Sequence, residues 1–426
     1  MTSLTYLIAL FGLLLPFSSA QAPPPTLPAL PLSSSSRWIL DAQNNRVKLR
    51  CVNWAGHLEP NIPEGLNHKP LDSIVSWIAS QGFNCVRLTY STDLALAGNV
   101  TTVSSSFKSA ASSWSRPALE TLFTSGIQTQ NPWIIPQQTT TLDVFSTVIN
   151  KLYSAQIMTI LDNHVSRASW CCNLTDGNGW WDQAQAYNSF NSRFFDTTKW
   201  LSGLSFMAQF SLSHPGVIGM SLRNELRAFL FQDLNNRKDW YNFISLGASR
   251  VHSANPDLLI IVGGSQSSTD LMHLKTVRPL DRTPYPNKIV WEMHAYSFTV
   301  TFPDPFRSCD MVKLAYGAFN GFVLEQGKTW TGPLVLSEFG VGMSGGEDQY
   351  DGLNEKDNRY LNCLVSYMEN NDADWVIWAL QGSYYIRDGT VDYDEGWGLL
   401  NHDWSGWRNN KFPARLREMW NVTQGP

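Results

Sequence analysis

No block of Lys or Arg occurs anywhere in the 426 residues, and 31 basic against 36 acidic side chains leave a net charge of -5. That excludes the electrostatic attraction on which nucleic-acid and anionic-membrane binding depend, so the expected ligand is neutral or small. No Cys-x-x-Cys pair occurs among the six cysteines, and the adjacent Cys171-Cys172 lacks the spacing of a zinc or redox motif. No metal site is therefore expected of the thiols, while their pairing, in up to three bridges or none, is left open. The apolar run at residues 7–17, LIALFGLLLPF, is too short to cross a bilayer. Followed by Ser18-Ser19-Ala20 it reads as a secretory signal over residues 1–20, although the terminal amine is its sole positive charge. Asn-x-Ser/Thr sequons at Asn99, Asn173 and Asn421 agree with that route and with a glycosylated extracellular protein.

What is present is core material: 43% of residues are apolar and 12% aromatic, enough for one large α/β barrel or two ordinary domains. Residues 21–36, QAPPPTLPALPLSSSS, are Pro- and Ser-rich without apolar periodicity and read as an extended tether. From Arg37 onward the chain alternates short aliphatic runs with helical stretches. Eight runs occur, at residues 49–54, 83–88, 157–164, 217–225, 258–264, 288–296, 333–340 and 374–380. Their near-continuous apolar character marks strands covered on both faces. Helices are expected at 71–80, 141–155, 193–212, 237–252, 310–326, 354–370 and 412–420. The pattern predicts a single (β/α)8 TIM barrel over residues 37–426 with extended βα loops, rather than a doubly wound sheet. The longest insertion, residues 90–140, is expected to be either functional or partly disordered.

Polar residues gather at one end of these strands: Arg87 closes the second, His164 the third, Asn224 and Glu225 the fourth, His294 and Tyr296 the sixth, Glu338 the seventh and Trp378 the eighth. In a barrel all strand C-termini share one face, and that face carries the active site. Each residue taken singly has a structural explanation; Glu225 would be satisfied by pairing with Arg223 or Arg227. Together they place two carboxylates in one bowl, which is what glycosidic bond cleavage requires. An ionised Glu338 would raise the pKa of Glu225 and keep a proton on it, and Arg87 would favour the carboxylate form of Glu338. Asp162 and Glu292 lie within strands, where alternation is expected to send them away from the cavity. Asp304, Glu347 and Asp348 lie in loops and rank below the pair.

The segments FNCVRL, DNH, RNE, HAY, SEFG and VIWAL, in that order, resemble glycoside hydrolase family 5, the cellulase-like retaining β-glycosidases of clan A, over residues 38–420. The resemblance implies double displacement, with Glu338 as nucleophile, Glu225 as acid and base, and carboxyls about 5 to 5.5 Å apart. It implies that Asn224 holds a sugar 2-hydroxyl, that Tyr296 hydrogen-bonds the nucleophile, that His164 and His294 line the reacting subsite with Arg87, and that Trp378 is the platform under the sugar. It implies no cofactor and no metal. The extended loops resemble a fungal and plant branch of the family.

Aromatics crowd the loops, and Trp170, Trp180, Trp181 and Tyr384 are candidates for further sugar subsites, with Trp397 and Trp404 beyond them. The expected partner is a β-linked glucan or mannan-type carbohydrate, bound by a monomer with no nucleic-acid or membrane contact. The alternatives are a β-glycosidase or transglycosylase of small glycosylated metabolites, or a catalytically silent carbohydrate-binding barrel. Residues 342–346, GMSGG, fit the G-x-S-x-G of serine hydrolases around Ser344, but lack the strand-turn-helix setting of a nucleophile elbow.

Overall fold

The eight apolar runs form the eight parallel strands of a closed barrel in the computed structural model, which describes residues 26–299, 308–343 and 348–426. The strands are β1 (Arg50–Trp54), β2 (Cys85–Ser91), β3 (Met158–Val165), β4 (Val217–Ser221), β5 (Leu259–Gly263), β6 (Ile289–Ala295), β7 (Leu334–Phe339) and β8 (Asp374–Ile377). β8 closes the ring on β1 through the pairs Trp375–Arg50, Val376–Cys51 and Ile377–Val52. The main outer helices are α1 (Leu71–Ser80), α2 (Thr141–Ser154), α3 (Thr197–Ser211), α4 (Lys238–Ala254), α5 (Cys309–Phe319) and α6 (Glu355–Asn371). α2 shows how they are specified. Thr140 accepts from the Asp143 amide while the Asp143 carboxylate accepts from the Thr140 amide, and Leu142, Phe145, Ile149 and Leu152 bury one face against the barrel. Among the described residues no helix is long and apolar enough to cross a membrane.

Alternate residues of each strand point inward. Cys51, Cys85, Met158, Ile160, Ile261, Val290, Val335 and Val376 fill the lower barrel, and their neighbours Val86, Leu161, Val262, Trp291, Leu336 and Trp375 pack outward beneath the helices. The same parity carries Asp162 inward with Ile160 and Glu292 inward with Val290, so both carboxylates that the sequence reading sent away lie inside the barrel, fully buried. β7 departs from strict parity. Met293 pairs with Leu336 but His294 pairs with Glu338, so Ser337 is an extra residue that re-aims Glu338 into the barrel.

Residues 26–36 are not an extended tether. Ser33–Ser35 pair antiparallel with Trp38–Leu40, Leu32 is buried against the lower barrel, and Leu27 and Leu30 pack beside it. The Ser34 amide donates to Asn287 O at 2.7 Å and Lys288 Nζ donates to Leu32 O at 3.0 Å, so this hairpin plugs the barrel's N-terminal end. The residues expected to form the signal lie outside the described residues, as do Asp304, Ser344 and Glu347.

The insertion is ordered: helices at Thr92–Ala97 and Val103–Trp114 and a continuous helical stretch from Ala118 to Gln130 occupy most of residues 92–130. All six cysteines pair. Cys51–Cys85 joins β1 to β2, Cys309–Cys363 joins α5 to α6, and Cys171–Cys172 bridges adjacent residues after β3. The last expected helix is shorter than the sequence suggested, a turn at Phe412–Arg415 and a 3-10 turn at Arg417–Trp420.

Candidate active site

β4 ends at Ser221, and the chain then turns at Glu225, which has φ 44° in the left-handed region. A non-glycine residue there costs on the order of 1–3 kcal/mol and persists only where surrounding contacts dictate it. Here the Asn224 amide donates to Asn163 O at 2.9 Å and the Arg227 amide to Gly179 O at 3.0 Å, so the turn is clamped on both sides. The clamp aims the Glu225 carboxylate at the barrel axis. Its Oε1 lies 3.0 Å from His294 Nδ1, which in turn lies 3.6 Å from Glu338 Oε2. A Glu225 carboxylate oxygen and one of Glu338 are within 4.8 Å of each other.

The arginines beside Glu225 do not pair with its carboxylate. Arg223 is buried, donates to Asn163 Oδ1 (2.9 Å), Ser166 Oγ (3.0 Å) and Asn178 O (2.6 Å), and stacks over Phe195. Arg227 pairs with Asp176 at 2.5 Å and donates to the Glu225 backbone oxygen at 2.8 Å.

Arg87 sits under the site. Its Nη1 donates to Glu338 Oε1 at 2.9 Å and to Asn53 Oδ1 at 3.0 Å; its Nη2 donates to Asn224 Oδ1 at 2.9 Å and pairs with Asp162 at 2.9 Å, with Glu292 4.0 Å away. One guanidinium thus fixes a Glu338 oxygen and the Asn224 amide orientation together. Tyr296 OH donates to the other Glu338 oxygen at 3.0 Å. With Arg87 holding its oxygen, Asn224 turns Nδ2 toward His164 Nε2, 3.3 Å away. Asp162 Oδ2, 2.6 Å from His164 Nδ1, accepts that proton and leaves Nε2 as the acceptor.

Burial pushes the Glu225 carboxyl up to about 7, against the pull of Arg227 and Arg87, with the Asp176 and Asp162 charges adding to the rise. The sequence reading assigned that rise to Glu338, but desolvation is its principal cause. Burial also raises Glu338, while His294 and Arg87 draw it back. Two carboxyls with different partners can hold one proton between them, on Glu225, with Glu338 gripped at both oxygens by donors.

A cleft of about 380 Å³ opens above these groups, and Glu225, Glu338, Asn224, His164, Tyr296 and Trp378 all reach it. Arg87 and His294 are buried beneath it at 1% and 0% exposure, so they act on the carboxylates and amide rather than as wall residues. Trp170 lines the cleft, but Trp180 and Trp181 do not. They are fully buried with Phe195 against Trp200 of α3 and Phe243 of α4, so they anchor the loop to the outer helices. Tyr384 is buried edge-on behind Trp170 with its OH accepting from Gln381, so it too falls outside the cleft wall. Trp404 is buried away from the cleft, whereas Trp397 is on its wall.

Residues 40–383 match the family model "Cellulase (glycosyl hydrolase family 5)". The chain belongs to glycosyl hydrolase family 5. A "Glycosyl hydrolase 5 family protein" from Chamaecyparis obtusa is 40% identical over 405 residues, covering 93% of this chain and 67% of its own length. An "Endoglucanase" of Paenibacillus polymyxa is 23% identical over 88% of this chain and 83% of its own. Among solved structures, the catalytic domain of the major endoglucanase from Xanthomonas campestris pv. campestris superposes with TM-score 0.69 at 22% identity, over 92% of this chain and all of that one. An endocellulase from Pyrococcus horikoshii gives TM-score 0.67 at 19% identity over the same shares. The protein is therefore a glycoside hydrolase on a (β/α)8 barrel.

Three parts of this family 5 site were not found by sequence reasoning. The Cys171–Cys172 bridge forms one wall of the cleft, with Cys172 Sγ 3.5 Å from Asn224 Nδ2. A hairpin of Ser383–Arg387 and Thr390–Asp394 brings Arg387 and Glu395, paired at 3.0 Å, to another wall. His57 packs its ring against that of His164, tilted by 31° with centroids 4.0 Å apart, and has Nδ1 2.7 Å from Thr89 Oγ1. Only the adjacent cysteines left a trace in the sequence.

Proposed function

We propose that the protein is a secreted, retaining β-glycanase that cleaves β-linked glucan or mannan-type polysaccharides and oligosaccharides. The observation that carries this reading is the Glu225–Glu338 pair: oxygens within 4.8 Å, one carboxyl raised to about 7 and the other gripped by Arg87 and Tyr296. That spacing suits direct attack by one carboxylate and is short of the roughly 6.5 to 9.5 Å at which inverting pairs stand. Glu338 attacks the anomeric carbon as Glu225 passes its proton to the departing glycosidic oxygen, giving a glycosyl ester and a free alcohol. Glu225, now ionised, takes a proton from the water that displaces Glu338, and both carboxyls return to their starting states.

Asn224, oriented by Arg87, presents its amide to the sugar hydroxyl beside the reacting carbon, where the contact strengthens as positive charge develops on the ring. His164 offers Nε2 in the same subsite, and Trp378 and Trp397 supply flat apolar faces for the C–H surface of a pyranose. The endoglucanase names of relatives support an endo-acting glycanase. The leader at residues 1–20, three disulfides and the name "Major extracellular endoglucanase" of a 23%-identical Xanthomonas protein support secretion, with glycans at Asn99, Asn173 and Asn421. All three asparagines are exposed.

The test is a panel of β-glucans, mannans and aryl β-glycosides offered to wild type and Glu338→Gln, with the first-formed anomer followed by NMR. Hydrolysis by the wild type with retained configuration, abolished in the variant, is expected. Equal hydrolysis by the variant overturns the nucleophile, and an inverted first product overturns double displacement.

A further inference from the structure

Outside the cleft lining, His68, Asp392 and His402 bring two imidazoles and a carboxylate together, one donor atom of each within 4.8 Å of the other two. They come from three segments: the turn before α1, the Thr390–Asp394 strand of the hairpin, and the loop after Leu400. His68 Nε2 lies 2.8 Å from Asp392 Oδ1. His402 Nε2 lies 3.4 Å from Asp392 Oδ2 and 3.1 Å from the Asp392 backbone oxygen. The two imidazoles meet edge to face with centroids 5.3 Å apart. Asp392 itself takes φ 52° between the ladder pairs Tyr384–Tyr393 and Ile386–Val391, so it departs from the regular strand where the histidines meet it.

Buried contacts fix all three segments. The carboxylate of Glu64, fully buried, accepts the Tyr385 amide at 2.7 Å. Tyr385 OH donates to Pro63 O at 2.7 Å and accepts from the Leu66 amide at 3.1 Å. The turn carrying His68 is thereby tied to the hairpin carrying Asp392. Gly65 has φ 89°, and a Cβ there would lie 2.5 Å from the Trp404 ring, so the ring rests directly on the turn. From that turn the His68 amide donates to Gly65 O at 3.0 Å. Trp404 Nε1 donates to Ser383 Oγ at 3.3 Å, which joins the His402 loop to the hairpin as well. The three donors are therefore positioned by packing beneath them and not only by one another, which is what a preorganised ion site requires.

We propose that His68, Asp392 and His402 bind a zinc ion that clips the hairpin to the two loops beside it. Imidazole nitrogens and a carboxylate oxygen are zinc donors, and all six cysteines are paired, so no thiolate competes for the ion. Zinc bonded at about 2.0 to 2.2 Å in a tetrahedron spaces its ligand atoms about 3.3 Å apart. The contacts of 2.8 and 3.4 Å around Asp392 are within a few tenths of an ångström of that. All three residues are half-buried, so water can take the fourth position. The charges nearby are of both signs, Asp403 lying near His68 and Lys69. The site belongs to no catalytic motif and is independent of the reading of the cleft. Its effect is to brace the strand pair that carries Arg387 to the cleft wall.

The experiment titrates untagged, EDTA-stripped protein with zinc chloride by calorimetry, as wild type, His68→Ala, His402→Ala and Glu338→Gln. The last controls for an ion held by Glu225, His294 and Glu338, whose donor atoms also lie within 4.8 Å of one another. Wild type and Glu338→Gln are expected to bind zinc alike, and each histidine variant about tenfold or more weakly. Zinc should also raise the wild-type melting temperature and slow amide exchange across residues 383–394, and do neither in His402→Ala. The His402 side chain is 44% exposed, so its loss disturbs the fold least, checked by the melting temperature of the metal-free variant. Failure of the wild type to bind zinc overturns the proposal, as does binding that survives in both histidine variants or is lost in Glu338→Gln. Hairpin amide exchange unchanged by zinc overturns it as well.

Discussion

At the scale of single residues, the site concentrates acids around one guanidinium, with Asp162 and Glu292 sealed from water and Glu338 at the floor of the cleft. Asp162, Glu292 and Glu338 surround Arg87, and burial raises all three carboxyls above their ordinary range, so the cluster is held for its geometry at a cost in stability. Glu225 gives a testable sign. Its folded pKa, about 7, lies above the model-peptide value of 4.5, so the folded state binds the extra proton between those values and loses stability as pH rises through that window. Glu225→Gln removes the titration. The variant should therefore gain on the wild type between pH 4.5 and 7, by about 3 kcal/mol at most above it, read as a widening gap in melting temperature. In the same variant the alkaline limb of kcat/KM near pH 7 should vanish, and activity should survive only on aryl glycosides whose leaving group needs no proton. Tyr296→Phe removes one of the two side chains gripping Glu338, and kcat/KM should fall about tenfold or more without loss of the fold, checked by circular dichroism.

At the scale of elements, the eight strands were legible because a strand covered on both faces must be apolar at nearly every position, α1 because a buried stripe announces it, and α2 because a capping box and a buried stripe do. The polar strand ends were legible for the same reason: Arg87, His164, Asn224, Glu225, His294, Tyr296 and Glu338 interrupt runs that are otherwise largely apolar, whereas Trp378 continues its run and was legible only by its place at the strand end. What the sequence hid is register. Counting alternation from a fixed reference would have placed Asp162 with Ile160 inside the barrel, but no local signal marks Ser337 as the extra residue that turns Glu338 inward. Nor could Trp170 be told from Trp180 and Trp181, because which of them is buried depends on where the loop meets α3 and α4, which lie later in the chain. Deleting Ser337 should leave Leu336 opposite Met293 and Glu338 opposite His294 in an unbulged ladder, so Glu338 stays inward and the variant should keep measurable turnover where Glu338→Gln has none. A second element-scale test concerns α5 and α6. Replacing Cys309 and Cys363 by Ser opens a 54-residue loop, and on chain-entropy grounds should cost up to about 4 kcal/mol, measured as a lower melting temperature with kcat/KM unchanged.

At the scale of the whole molecule, a net charge of -5 spread without blocks predicts chemistry indifferent to ionic strength. If the substrate is a neutral glycan, kcat/KM should change less than about twofold between 0.05 and 0.5 M salt, because no long-range attraction exists to be screened. The barrel also separates its tasks by end: loops, aromatics and paired acids at the C-terminal face, apolar filling and the residue 27–40 hairpin at the other. That hairpin leaves the ribosome before any barrel strand, yet it seals against Val335 and Val376, which are made among the last. The floor of the enzyme thus waits, through almost the whole of synthesis, for the wall on which it rests, and closure of the barrel is an event for the finished polypeptide rather than the growing one.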